Sequence, residues 1–177
     1  CDEAIEKTDA KIEKRKRIKH GLMQDLFRYG IDENGKMRSE TTHRFKDSPL
    51  GRIPEEWEVV ELCCQTKRGN GGVQTGPFGS QLHANDYVDE GIPIITVEHL
   101  VDFNIGRINL PKVSKRDYLR LSKYKLKEGD SVFSRVGSID RCSYTTKLED
   151  GWLFSGRCLR VRPGKYFHGK YLAYQLN

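Results

Sequence analysis

Several kinds of chemistry are missing from this 177-residue chain, and each gap removes a class of function. The five cysteines, Cys1, Cys63, Cys64, Cys142 and Cys158, form no CxxC pair. Adjacent Cys63 and Cys64 suit neither a disulfide framework nor a zinc site, so the cysteines are expected to be reduced and buried, as in a cytoplasmic protein. No apolar run reaches the length of a membrane span and no signal peptide is visible, which predicts a soluble chain. The phosphate-cradling GxxxxGK[ST] motif is absent, and Gly69-x-Gly71 lacks the third glycine of a dinucleotide fingerprint, which argues against both kinds of nucleotide site. No Asn-Pro-Pro or Asp-Pro-Pro run exists to grip a flipped base for amino methylation. No glutamate is followed two residues later by lysine, as many nuclease sites require. His20, His43, His83, His99 and His168 are scattered without an obvious cysteine or serine partner and read as surface or packing residues. The expectation is a binder with no catalytic residue, metal or cofactor. The chain opens without methionine and first shows one at Met23, so it reads as a fragment.

What is present is polar for its length. With 36% hydrophobic and 32% charged residues, the chain can hold one globular domain with a modest core, plus an appendage. The net charge of +6 suits an acidic partner or an ordinary protein surface. Its distribution says more: residues 51–106 hold three Lys or Arg against nine Asp or Glu, whereas residues 107–170 hold sixteen against six.

Residues 3–29 lack proline and are rich in Glu, Lys, Arg, Leu and Ile, which predicts a long helix. With Ile5 at heptad position a, later a positions are Ile12, Lys19 and Leu26, and d positions are Thr8, Arg15, Leu22 and Tyr29. Such an interrupted seam needs a partner helix. Lys14-Arg15-Lys16-Arg17 reads as a solvated face. Gly30 is placed to stop the helix, and residues 31–49 have the composition of a linker. Beyond it, a turn and strand are expected over Leu50–Leu62 with Trp57 as an anchor, and its glutamates form a solvent face. A buried strand is expected over Gly91–Val97, and a Ser114-capped short helix runs to Ser122. Further strands are expected over Ser131–Val136 and Cys158–Arg162, the latter with Arg160 and Arg162 on one face, and a closing helix over Tyr166–Leu176. The seven basic residues between Lys112 and Lys127 could track phosphates or simply be solvated. Strands and helices alternate without a βαβ rhythm, which predicts an α+β fold: a long N-terminal coiled-coil-type helix followed by a globular mixed-sheet domain.

The most loop-like stretch is Val73–Tyr87, where Gly76, Pro77 and Gly79 sit among short polar side chains. Either it is an exposed functional loop, or Gly76-Pro77-Phe78-Gly79 is a structural turn with Phe78 in the core.

Taken in order, the chain carries Leu50-Gly51-x-Ile53-Pro54-x-x-Trp57, Gly76-Pro77-Phe78-Gly79-Ser80-x-Leu82, Gly91-Ile92-Pro93-Ile94-Ile95, Gly129-Asp130-x-x-x-Ser134-Arg135-x-Gly137 and Lys170-Tyr171-Leu172, and its opening helix carries Ile18-Lys19-x-x-Leu22-Met23-x-x-Leu26-Phe27. Together these motifs resemble the specificity subunits of Type I restriction-modification systems, the last being similar to that family's spacer helix. The resemblance implies a spacer helix over 1–30, a linker over 31–49 and a target-recognition domain over 50–177. It implies a non-enzymatic reader of double-stranded DNA, with adenine methylation left to modification subunits and cleavage to a restriction subunit. The helix would pair with another conserved helix and set half-site spacing. Where Asp140 stands the family often has glycine. Gln74, Ser80, Gln81, His83, Arg135, Ser138 and Arg141 are the candidates to read bases, and Lys67, Arg68, Arg107 and Lys165 to hold phosphates. The alternative is a protein-interaction or scaffold module that uses the charged helix without reading DNA.

Overall fold

A long uninterrupted run of helix-forming residues at the start of the chain folds as α1 (Asp2–Tyr29). Asp2 and Glu3 in its first turn and Arg28 in its last complement the helix dipole, and Glu3–Lys7 and Glu13–Lys16 pair along its surface. A computed structural model describes residues 2–62, 72–138, 140–165 and 167–176 and divides the chain into two units, Cys1–Val59 and Val60–Asn177. No described residue of α1 is buried, and Ile5, Ile12, Ile18, Leu22 and Leu26 are all 42–58% exposed. No helix among the described residues is long and apolar enough to cross a membrane.

Gly30 ends α1 with φ +69°, its N–H donating to the Leu26 carbonyl at 2.9 Å. A Cβ there would lie 2.6 Å from the Trp57 ring and 2.9 Å from the Arg38 guanidinium, so glycine is required by space as well as by backbone. Trp57 therefore anchors the end of the helix. The segment expected as a linker has local order of its own. Asp32 Oδ1 accepts from the Asn34 and Lys36 N–H groups, both at 2.8 Å, and β1 (Phe45–Lys46) pairs antiparallel with β2 (Ile53–Pro54). The strand expected as far as Leu62 stops at Pro54: the Glu55 N–H still reaches the Arg44 carbonyl at 3.1 Å, and the Trp57 N–H turns back to the Pro54 carbonyl at 3.0 Å.

The second unit is built on two four-stranded sheets. In the first, β3 (Val73–Thr75), β9 (Ser131–Ser134), β10 (Cys142–Tyr144) and β12 (Cys158–Val161) lie in the order β10-β9-β12-β3, all antiparallel. In the second, β4 (Tyr87–Val88), β5 (Ile92–Ile95), β8 (Lys112–Val113) and β11 (Leu153–Phe154) lie in the order β11-β5-β8-β4, with β11 parallel to β5. A hairpin of β6 (Leu100–Val101) and β7 (Asn104–Ile105) adjoins β10. Both sheets contribute to one core, which includes Ile94, Ile95 and Phe154 from the second and Val132 and Cys158 from the first. The expected mixed-sheet α+β architecture is what forms.

Ser114 caps α2 (Lys115–Arg120) as its sequence predicts, accepting from the Asp117 N–H at 3.1 Å. The closing helix is shorter than expected, α3 (Gly169–Gln175). It packs against β9 and β10, where the Ser131 hydroxyl donates to the Gly169 carbonyl at 2.8 Å and Cys142 Sγ to that of Ala173 at 3.2 Å. Cys142 and Cys158 are buried, and burial pushes both thiols up to about 11, so neither is a reactive thiolate at neutral pH. Cys1, Cys63 and Cys64 lie outside the described residues.

The paired arginines of β12 do share a face, but it is the inward one. Cross-strand register aligns Ser143, Val132, Arg160 and Gln74, and Arg160 is completely buried. Arg160 and Arg162 both donate to the Lys125 carbonyl, at 3.2 and 2.9 Å. Arg162 also forks onto Asp130, at 2.7 and 2.6 Å. These side chains organise the core and are withdrawn from any external partner.

Candidate nucleic-acid interface

Strand direction fixes where the loops go. β12 and β10 run against β9, and β3 runs against β12, so β3 and β9 finish at the end of the first sheet where β10 and β12 begin. Parallel β5 and β11 finish together, and β11 runs through Ser155-Gly156-Arg157 directly into β12. The Ser155 N–H donates to the Ile95 carbonyl at 2.8 Å, which holds the two sheet ends together. Four loops therefore meet at one end: 76–83, 96–99, 135–141 and 155–157.

The Gly76 loop is interlocked with the Ser155 loop. A Cβ at Gly76 would overlap the Ser155 carbonyl, and one at Gly156 would overlap the Pro77 carbonyl and lie 2.7 Å from Phe78 Cβ. Close backbone contact on both sides leaves the turn little freedom. Phe78 then projects outward, 58% exposed, so the alternative that placed it in the core is not what forms. Gly79 differs from Gly76: its φ is +59° but open space surrounds it. Gly76→Ala is expected to cost about 1–3 kcal/mol through steric overlap, and Gly79→Ala only about 1 kcal/mol through backbone strain. Urea unfolding of the two variants checks that order.

Past Gly79 the stretch is tied to α2 and the turn behind it. The Tyr124 hydroxyl donates to Gln81 Oε1 at 2.6 Å, and Arg120 donates to the Gln81 carbonyl at 2.7 Å while also pairing with Asp117. A bidentate grip on adenine by Gln81 would therefore require its bond with Tyr124 to break. Gln74, at the centre of β3, is half-buried, and its Oε1 is a buried atom without a hydrogen-bond partner. Ser80 and His83 are exposed. The His83 N–H donates to Asp86 at 2.7 Å, which fixes its backbone.

Arg135, Ser138 and Arg141 all lie on the exposed loop after β9. Arg135 reaches across to the Gly156 carbonyl at 3.0 Å, and its guanidinium carbon stands 5.9 Å from the centre of the Phe78 ring. Arg141 contacts the Val97 carbonyl at 3.5 Å and borders a cleft of about 320 Å³ shared with Asp102, Phe103 and Asp140. Asp140 is exposed at the rim of this loop.

Arg157 is a residue that reading the sequence passed over. It is 61% exposed at the side chain, with Nη1 3.8 Å from Glu98 Oε1, and its Nη2 would be 3.9 Å from a Cβ on Gly137. The Thr96 hydroxyl donates to Glu98, and this bond, together with a backbone hydrogen bond and nearby Arg157, holds the Glu98 carboxyl below its ordinary range. The signal for Arg157 lies in pairing: Cys158 faces Ser134, so the residues just outside, Arg157 and Arg135, must meet. Three arginines thus stand at this end with Glu98, Asp140 and Asp102 near them.

Two expected phosphate ligands lie elsewhere. Arg107 pairs at 2.9 Å with buried Glu149, beyond the C-terminal end of β10 and so at the opposite end from Arg141. Lys165 is exposed and follows the C-terminal end of β12, again opposite Arg157. Lys67 and Arg68 lie outside the described residues. The basic run from Lys112 to Lys127 is largely engaged locally, with Lys125 over the Tyr118 ring at 3.9 Å, Lys123 over that of Tyr124 at 4.8 Å and Lys112 on the Asp89 carbonyl at 2.8 Å. Among the described residues no cluster of histidine, cysteine, aspartate or glutamate could hold a metal ion.

No protein-family model matches the chain. It is 28% identical over 136 residues to the Type I restriction enzyme MjaVIII specificity subunit of Methanocaldococcus jannaschii, a match covering 75% of this chain and 28% of that protein. Its fold is similar to the crystal structure of the HsdS subunit from Thermoanaerobacter tengcongensis, with a TM-score of 0.59 and 14% identity over 99% of this chain and 37% of that one. A structure addressing complex assembly and conformational transition of the type I R-M system matches at a TM-score of 0.51 and 13% identity, over 97% of this chain and 39% of that one. The chain thus spans well under half the length of these proteins. In sequence the chain is thus similar to specificity subunits of Type I restriction enzymes, and its fold is that of an HsdS subunit.

Proposed function

We propose that this chain reads one half of a split double-stranded DNA site within a Type I restriction-modification complex. In this reading residues 1–30 are a spacer helix, 31–49 a connecting segment and 50–177 the recognition domain, and the work is done in a cytoplasmic complex. Adenine methylation is carried out by partner modification subunits and cleavage by a restriction subunit, while this chain binds and orients. The observation that carries the proposal is the convergence of four loops at one sheet end, with Arg135 beside exposed Phe78, Arg141 on the same loop as Arg135 and Arg157 on the loop alongside. Ser80, His83 and Ser138 are exposed polar groups on two of those loops and are assigned to base edges. Gln74 and Gln81 join them only if the contacts of the β3 face and of Tyr124 rearrange. Arg107 and Lys165 would touch only a duplex that extends beyond the loop end.

The exposed apolar stripe of α1 supports a helix that pairs with a second conserved helix and so fixes half-site spacing. It also favours the alternative of a scaffold that uses this helix alone. The two separate by experiment. The complete specificity subunit with its modification subunits is expected to bind a duplex carrying its half-site far more tightly than scrambled duplex, with affinity falling steeply as salt rises. Equal affinity for both duplexes, with partner binding intact, would favour the scaffold.

A further inference from the structure

The three arginines of the loop end differ in how their charge is compensated. Arg135 and Arg141 donate to the neutral carbonyls of Gly156 and Val97, and among the described residues neither forms an ion pair, although Arg141 lines the same cleft as Asp102 and Asp140. Arg157 instead faces the Glu98 carboxylate at 3.8 Å, and Glu98 is itself positioned by the Thr96 hydroxyl. A phosphate approaching Arg157 meets the neighbouring carboxylate as well, so the pair offers it little net attraction. A base edge is neutral, and what it needs is a planar fork of N–H donors held in a defined pose. The Glu98 contact restricts that pose, and Gly137, with φ +85°, puts no side chain of its own beside Nη2.

Building on the DNA-reading function above, we infer that Arg157 reads a guanine, with Glu98 as its positioning residue, while Arg135 and Arg141 hold phosphates. Sequence preference and electrostatic grip are thereby divided between neighbouring arginines of one loop cluster. Both Arg157 and Glu98 are well exposed, so substitutions there leave the fold intact.

The test uses the complete specificity subunit with its modification subunits and duplexes in which each guanine of the half-site is replaced in turn by 7-deazaguanine, which lacks the N7 acceptor. With the unsubstituted complex, one position should weaken binding by roughly 5- to 150-fold. With Arg157→Ala that same replacement should have no further effect, while scrambled-duplex affinity and the slope of affinity against salt stay unchanged. Glu98→Gln should bind scrambled duplex more tightly with a steeper salt slope, and discriminate less at that guanine. If Arg157→Ala weakens all duplexes alike and flattens the salt slope, Arg157 is a phosphate ligand and the inference is overturned. Discrimination at every guanine that survives Arg157→Ala overturns it equally. If the unsubstituted complex binds every duplex alike, the DNA-reading function itself fails, and this inference falls with it.

Discussion

Asp130→Ala is expected to destabilise the second unit by about 3–5 kcal/mol, the largest effect of any single substitution considered for stability. Asp130 is 1% exposed, and its carboxylate takes both prongs of the Arg162 guanidinium, at 2.7 and 2.6 Å. It also accepts the Lys127 N–H at 2.8 Å, so one side chain closes a turn and neutralises a buried cation. A second cation depends on it. Arg160 is wholly buried, and burial first, then nearby Arg162, pulls its guanidinium down to about 10, against the favourable influence of Asp130. That value leaves Arg160 charged at neutral pH, so removing Asp130 strands two buried positive charges. Combining Asp130→Ala with Arg162→Met should recover much of the loss, because the pair is removed together and apolar volume is kept. Urea unfolding of the two single variants and the double variant checks this, and additive losses would contradict it.

The largest expected effect on binding comes from Arg135→Ala combined with Arg141→Ala. Each arginine is exposed and reaches a backbone carbonyl, Arg135 also standing by the exposed Phe78 ring, so neither substitution should disturb the core. Each should lower affinity roughly tenfold, the equivalent of about 1.4 kcal/mol, and reduce the salt slope by about 1. Losses should be similar on half-site and scrambled duplex, since phosphates carry no sequence. Titrations of both duplexes at two salt concentrations measure all of this together.

Much of the local structure is legible in the sequence, because local signals have local causes. Ser114 followed by Asp117 caps α2, Gly30 stops α1, and the β-branched run at Ile92–Ile95 forms a buried strand. What sequence alone leaves open is set by pairing between distant segments. Alternation along Cys158–Arg162 shows that Arg160 and Arg162 share a face, but only register against β9 and β3 makes that face the buried one. The polar character of Gln81 suggests a reader, yet a tyrosine 43 residues away holds its side-chain amide oxygen. Phe78 has the composition of a core residue, but the interlock of Gly76 with Ser155 turns it to solvent. Arg107 and Lys165 count toward the basic half of the chain and are carried by strand direction to the other end. Arg157 goes the opposite way: unremarked in one dimension, it becomes central once Cys158 is paired with Ser134.

The central claim is that this loop end chooses which DNA is modified. Its most direct test is a map of methylated adenines in host DNA, made with the complete gene intact, deleted, and carrying Arg157→Ala. The intact gene should mark a split site absent from the deletion, and Arg157→Ala should relax one position within a single half while the other half and the spacing persist. A map that is the same for all three would contradict the account.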